Sequence, residues 1–524
     1  MPSRRASPLL LLALAACTEP APPPPHSPPP PSASAPLARA LTAPPPPAPL
    51  PLPEPPPSAA PEAPPPPPLP PRLTSLTHLT RIFARPKIEE RYLGDLGFGD
   101  SLPLRSTEPV PGEGCRGGFY PVLPRGYVCN GPLVSLTPAP KLAELAQALA
   151  PSPGPLPFHY AYSDGVPSYN KVPTEAEWTR LEGGYGPRGD QRRLPKNPSP
   201  YDDLATLAPI PPTGPLPTFL AEKGGVSDEP KGLFLGDVPP GNMLAWSRAF
   251  EAKGRTFLLT TEHILVPADR VRPFQPSTYH GARLGGDLHL PLAFVRLGER
   301  PRHRRLPTGA FEKTGTLWPA HGTLPLEGPA VETARGRYWP TRERDSQGGA
   351  LFIADKDAAV IEAETTLPAG LGADQKWIVV SLGKGSLAAY EGKTPVYATL
   401  ISPGAGGAPE AGKKKHLGTT PLGAFALTYK HRFARMTHEL GAHPTHYISA
   451  VPHVQYFNPP YALHAAYWHD RFGEPTSAGC INLSPLDAEA LFAWSDPQVP
   501  LDWRGALAAA APENGKTTLV VIRR

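Results

Sequence analysis

Cys480 is the residue of this sequence best suited to covalent chemistry. It lies in the segment 464–483, which opens on His464 and ends Thr476-Ser477-Ala478-Gly479-Cys480-Ile481-Asn482-Leu483. A thiol becomes a strong nucleophile only when a base or a positive charge favours its thiolate. His464 is the candidate base, and an imidazolium formed there could return the proton to a leaving amine. Gly479 lets the backbone turn tightly and leaves the thiol accessible. The N–H groups of Gly479 and Cys480 could then face a developing oxyanion. Ser477, Asn482 and Tyr456 are further candidates for substrate contact or support of the oxyanion site. For Tyr456 the competing role is core packing on a strand; for Asn482 it is local backbone hydrogen bonding.

The other three cysteines have different explanations. Residues 1–17 begin with a basic stretch containing Arg4 and Arg5, continue through a short apolar run, and end Leu14-Ala15-Ala16-Cys17. This is an export signal, too short to span a bilayer. Its ending resembles the bacterial lipobox, in which the cysteine is lipidated; an ordinary cleaved signal with an incidental cysteine is the alternative. Thr18 follows, rather than an aspartate that would favour inner-membrane retention. The expectation is a lipid anchor on the periplasmic side of the envelope, at the outer membrane of a double-membrane cell. Cys115 and Cys129 bracket a strand–turn–strand pattern. In an oxidising compartment they would form a disulfide worth about 3 kcal/mol; two buried thiols are the alternative. Cys480 is left without a partner, and a reactive thiol is the leading explanation.

The elements that must hold this chemistry fall into zones. The chain has 524 residues, with 81 prolines and 49 glycines spread unevenly. Residues 18–72 are mostly Pro, Ala, Leu and Ser and read as a disordered polyproline II linker. At about 3.1 Å per residue it would reach on the order of 170 Å. Residues 73–290 alternate short β-like runs with Pro/Gly turns, with a short helix over 142–149. Two stretches, 118–128 and 255–266, each read as an aromatic strand, a turn and a β-branched strand. They resemble the closing hairpin of bacterial SH3-like modules; β-rich spacers without a ligand are the alternative. Residues 291–372 form a connecting region with further small β-elements, one of them at 349–354. From 373 to 524 the pattern sharpens. Strands are expected over 376–382, 386–391, 395–402, 423–429, 446–449, 454–457, 462–466 and 517–522. Ser484, Pro485 and Asp487 mark a helix start, with the helix running to Trp494.

The active segment resembles the signature of the L,D-transpeptidases, the peptidoglycan cross-linking enzymes with a catalytic cysteine. The matching positions are His464, Ser477, Gly479, Cys480, Ile481 and Asn482. Upstream, Lys376-Trp-Ile-Val-Val, Leu387-Ala-Ala-Tyr-Glu-Gly and Thr419-Thr-Pro-Leu-Gly-Ala-Phe are similar to the family's opening strands and its Thr-Pro-x-Gly-x-Phe element. The resemblance covers about 373–524. It implies a mainly β fold, a β-sandwich with short helices. It further implies that Cys480 attacks the third residue of a tetrapeptide stem and releases terminal D-alanine, and that an amine of a second stem resolves the thioester. One position departs: the residue before Gly479 is usually His, and here it is Ala478. His469, in the same segment, could substitute for it.

Other readings stay in view. His464, His469 and Cys480 are residue types that zinc accepts, yet no compact ligand pair accompanies them, and no cofactor or metal is expected. The histidines at 438, 443, 446 and 453 read as solvated or structural. A peptidoglycan-binding pseudoenzyme, suggested by Ala478, and an L,D-carboxypeptidase would share the same site. The formal charge of +5 is mild, and nucleic acid is not an expected partner. Lys413, Lys414 and Lys415 could attract an anionic polymer or stem peptide. The expected partners are peptidoglycan stem peptides and, through the lipid, a membrane.

Overall fold

The computed structural model describes residues 70–183, 202–227, 232–409, 418–437, 447–508 and 515–524. Cys17 and the export signal, the linker up to residue 69, the lysines at 413–415 and His438, His443 and His446 lie outside them. Among the described residues no helix is long and apolar enough to cross a membrane.

The fold is mainly β. The unbroken apolar run Trp377-Ile378-Val379-Val380 is explained by its place. The strand Lys376–Ser381 is central in a six-stranded sheet. It pairs antiparallel with Ser386–Glu391 and parallel with Leu519–Arg523. Side chains alternate across a strand, so a strand covered on both sides is apolar at every position. Ile378 and Val380 enter one core, Trp377 and Val379 another. The first core joins this sheet to Leu463, Ala465, Ile481 and Leu483 of a second sheet and to Ala488 and Leu491 of a helix. Each such Leu, Ile or Val side chain contributes roughly 1.5–3 kcal/mol by burial. The second core packs Leu292, Phe294, Ala359 and Ile361 of the connecting region on the opposite face.

The helix Pro485–Trp494 starts as the sequence predicts. The Ser484 Oγ accepts from the Asp487 N–H at 3.1 Å, and Pro485 occupies the first turn. The buried Asp487 carboxylate accepts from the Gly281 N–H (2.6 Å), Tyr397 (2.7 Å) and Thr399 (2.6 Å). A second helix, Pro140–Ala148, matches the expected one within two residues. A third, Glu175–Leu181, was not expected, although Thr174 and Glu177 form a capping box at its start.

The second sheet is larger and contains fourteen of the described strands. The two pieces expected at 446–449 and 454–457 are one strand, Tyr447–Asn458. Its middle holds Pro452, with Ala450 and His453 at positive φ. That irregular centre hides the strand's period in the sequence. Tyr447–Asn458 pairs with Tyr429–Thr437 and with Tyr461–Ala465.

Strands from the first half of the chain extend this sheet at two places. Met243–Ala252 meets Tyr447–Asn458 through the pair Met243↔Ile448 and also pairs with His159–Ser163. Gly94–Leu96 pairs with Gly505–Leu507. Behind the join, Tyr160 stacks on Tyr467 at 3.8 Å, and Phe158 meets Phe433 edge-on. The stretches 118–128 and 255–266 are hairpins of different sheets, Phe119–Pro121 with Tyr127–Cys129 and Arg255–Thr260 with Leu265–Pro267. Cys115 and Cys129 are joined by a disulfide with Cα atoms 5.8 Å apart. The connecting region contributes a three-stranded and a five-stranded sheet, the latter including Ala350–Ala354.

Candidate active site

Two short parallel strands place the chemistry. Tyr461–Ala465 lies beside Ile481–Leu483 with Leu463↔Ile481, His464↔Asn482 and Ala465↔Leu483 in register. Leu463, Ala465, Ile481 and Leu483 point into the core between the sheets. Alternation therefore sends His464, Asn482 and Cys480, which directly precedes the second strand, to the other face. There they line a cleft of about 530 Å³ together with Tyr456, Tyr461, Trp468, Ser477, Ala478 and Arg435.

The turn that presents Cys480 is clamped from three sides. The Ser477 hydroxyl donates to the Cys480 carbonyl and accepts from the Gly479 N–H at 3.0 Å. The Gly479 N–H is thereby used inside the turn, so the expectation that it faces an oxyanion is not met. Ser477 closes the turn with both its hydrogen bonds. Gly479 has φ +123°, and a Cβ there would lie 2.8 Å from the Tyr461 ring. The buried Thr420 donates to the Gly479 carbonyl at 2.9 Å and accepts from the Gly404 N–H at 3.0 Å. Thr420 was not singled out from the sequence, although the Thr-Thr-Pro-Leu-Gly-Ala-Phe element contains it.

His464 is buried, with its ring 5.9 Å from that of Trp468. Its Nδ1 lies 2.9 Å from the Ala465 carbonyl oxygen. A carbonyl only accepts, so Nδ1 carries a proton, and in the uncharged form of the ring the basic nitrogen is Nε2. Cys480 is the free cysteine among the described residues. Burial pushes its thiol up to about 11, with a hydrogen bond from the Ala462 backbone acting in the opposite direction. The thiol of the site therefore rests protonated. Burial and then the neighbouring Cys480 raise the Tyr456 hydroxyl above its ordinary value. Tyr456 also stacks parallel to Tyr429 at 6.1 Å, so it serves both packing and the cleft wall.

His469 does not take the place left by Ala478. It is fully buried, and burial, with Arg471 and His464 adding to it, drives its ring down to about 3. The Arg471 N–H donates to Nδ1 at 3.2 Å, which puts the ring proton on Nε2. Nε2 lies 3.0 Å from the Asn482 amide. The amide must therefore accept through Oδ1, the orientation that also satisfies an oxygen otherwise buried without a partner. Asn482 is thus held by His469, while its backbone bonds Ser402. Ala478 is exposed at the cleft. His453 lies against Phe492, away from the cleft. Among the described residues no three His, Cys, Asp or Glu side chains are grouped to hold a metal ion.

This geometry, a thiol and an imidazole on one face of a parallel strand pair, falls within the stretch that a family model recognises. Residues 375–522 match the YkuD family, the L,D-transpeptidase catalytic domain. The YkuD segment contains Thr420, Arg435, Tyr456, His464, His469 and Cys480, whereas Glu262 and the strands that extend its sheet precede it. Solved structures similar to the chain include an L,D-transpeptidase from Xylanimonas cellulosilytica. It is 23% identical over 30% of this chain and 65% of that one, with a TM-score of 0.20. The catalytic domain of an E. faecium L,D-transpeptidase is 19% identical over 29% and 98%, with a TM-score of 0.20. An L,D-transpeptidase from Mycobacterium smegmatis is 17% identical over 37% and 80%, with a TM-score of 0.21. No curated protein matches the chain.

Proposed function

We propose that the chain is a peptidoglycan L,D-transpeptidase that works through a Cys480 thioester. The observation that carries this reading is that Cys480 and His464 share one face of the parallel strand pair and line one cleft inside the YkuD segment. Cys480 Sγ attacks the carbonyl of the third residue of a donor stem as its proton passes to His464 Nε2. Because the thiol rests protonated, proton transfer accompanies attack and does not precede it. The Cys480 N–H is the backbone donor beside the developing oxyanion, the Gly479 N–H being engaged by Ser477. The imidazolium returns its proton to the leaving amine and D-alanine departs, leaving a thioester. An amine of a second stem then attacks the thioester, His464 takes its proton, and the thiol is regenerated with a new cross-link. The role would belong to cell-wall biogenesis and cell shape.

Muropeptide analysis after incubation with tetrapeptide-rich peptidoglycan tests the reading. The parent should yield cross-linked dimers and free D-alanine, and Cys480→Ala and His464→Ala should yield neither while remaining folded. Transfer by Cys480→Ala would falsify the nucleophile. Free D-alanine without dimers would instead identify a carboxypeptidase, with water as acceptor. Stem binding without turnover would identify a pseudoenzyme.

The same reading puts the enzyme on the periplasmic side of the envelope, tethered by a lipid on Cys17 to the outer membrane, with residues 18–72 as spacer. It is supported by the basic-then-apolar start and the Leu-Ala-Ala-Cys ending. Cys17→Ser should move the protein from the membrane fraction to the soluble one; unchanged fractionation would exclude the tether.

A further inference from the structure

We infer that Arg435 recognises the terminal carboxylate of the donor stem and that Glu262, outside the YkuD segment, sets its pose. The inference rests on the reading of the cleft as an acyl-transfer site. Arg435 lines the cleft with Cys480 and His464. It lies near the end of the strand Tyr429–Thr437, and half of its side chain is exposed.

Two contacts fix the guanidinium. Its Nη1 donates to Glu262 Oε2 at 3.0 Å, and its Cζ lies over the Tyr447 ring, 4.2 Å from the centroid. Glu262 is itself held, because the buried Ser449 hydroxyl donates to its other oxygen at 2.8 Å. Glu262 comes from the turn between Arg255–Thr260 and Leu265–Pro267, so a hairpin of the accessory region reaches the cleft wall.

A guanidinium has five N–H donors in a planar fork. Glu262 engages it at one nitrogen and Tyr447 covers a face, which leaves further donors of the fork for an incoming group. A fork fixed in this way loses little side-chain freedom on binding, and its best planar partner is a carboxylate, which accepts two parallel hydrogen bonds. The chemistry at Cys480 supplies such a group. Attack falls on the carbonyl of the penultimate residue, so the free carboxylate of the departing residue is one residue away from Sγ. A fixed cation on the wall of the same cleft draws the stem into register and discriminates against a stem that ends in an amide.

The test uses the full chain with Cys480→Ala, so that binding is read without turnover. Calorimetry compares a tetrapeptide stem ending in a free carboxylate with its C-terminal amide. The acid should bind about tenfold or more tighter than the amide, the size expected of charge-assisted hydrogen bonds. Adding Arg435→Gln should bring the acid down to the level of the amide and leave the amide unchanged. Adding Glu262→Gln should give an intermediate preference. With Cys480 restored, Arg435→Gln should raise KM for the acid more than it lowers kcat. Both forms binding, with the preference for the acid surviving Arg435→Gln, overturns the inference alone. Binding of neither form overturns the stem-peptide reading as well.

Discussion

Thr420 holds Gly479 by a hydroxyl-to-carbonyl hydrogen bond of 2.9 Å, and the same hydroxyl accepts from the Gly404 N–H. Both partners are backbone groups, and Thr420 is fully buried. Thr420→Val keeps the volume and removes both bonds. The expected cost is about 1–3 kcal/mol, read as a lower Tm. Because the lost bond anchors the turn that presents Cys480, kcat should fall as well. Thr420→Ser should recover most of both. A Val variant with unchanged Tm and kcat would dismiss the clamp.

The thiol gives a pH-dependent signature. Burial holds Cys480 protonated up to about 11, against about 8.5 for an unperturbed cysteine. Alkylation by iodoacetamide, followed by intact mass, should therefore be slower than that of a cysteine peptide at pH 7–9. The rate should still be climbing at pH 10. A midpoint below 8 would mean a preformed thiolate–imidazolium pair and would reverse the order of proton transfer proposed above.

Lys430 links stability to pH. Its ammonium is buried at the C-terminal end of the helix Pro485–Trp494, donating to the carbonyls of Phe492 (2.6 Å) and Ser495 (2.7 Å). Desolvation lowers it from 10.5 to about 7. Between those values the unfolded chain binds a proton that the folded chain lacks, so stability rises with pH across this window and the penalty is complete below it. Urea unfolding should show the parent more stable at pH 9 than at pH 7. Lys430→Met should reduce that difference, whatever its effect on absolute stability. A pH slope unaffected by the substitution would assign the linkage to other groups.

What the sequence made legible follows from the range of the interactions involved. The strand Lys376–Ser381 and the helix at Pro485 are written in local pattern, an apolar run and an N-cap. Cys480 and His464 stand out because a thiol and an imidazole in one short segment are chemically unusual. The strand Tyr447–Asn458 was split by its own irregular centre. The roles of Thr420 and Glu262 depend on partners far away in the chain, Gly479 and Arg435, and no local pattern announces such a meeting. The misreading of His469 has the same origin. Its place in the same segment suggested that it could stand in for the missing His, and only the packing around Phe472 and Asn482 shows a ring turned inward.

The pairing of Met243 with Ile448 and the stack of Tyr160 on Tyr467 bear on what counts as one object in this molecule. The segment that recurs as a family, 375–522, begins in sequence where these neighbours end, but its sheet and its apolar back wall do not begin there. Cut at that boundary, the chain would bare an open strand edge and the rings of Phe433 and Tyr467. The unit of inheritance is therefore smaller than the unit of melting, and whatever is grafted onto this catalytic segment must also supply the missing edge.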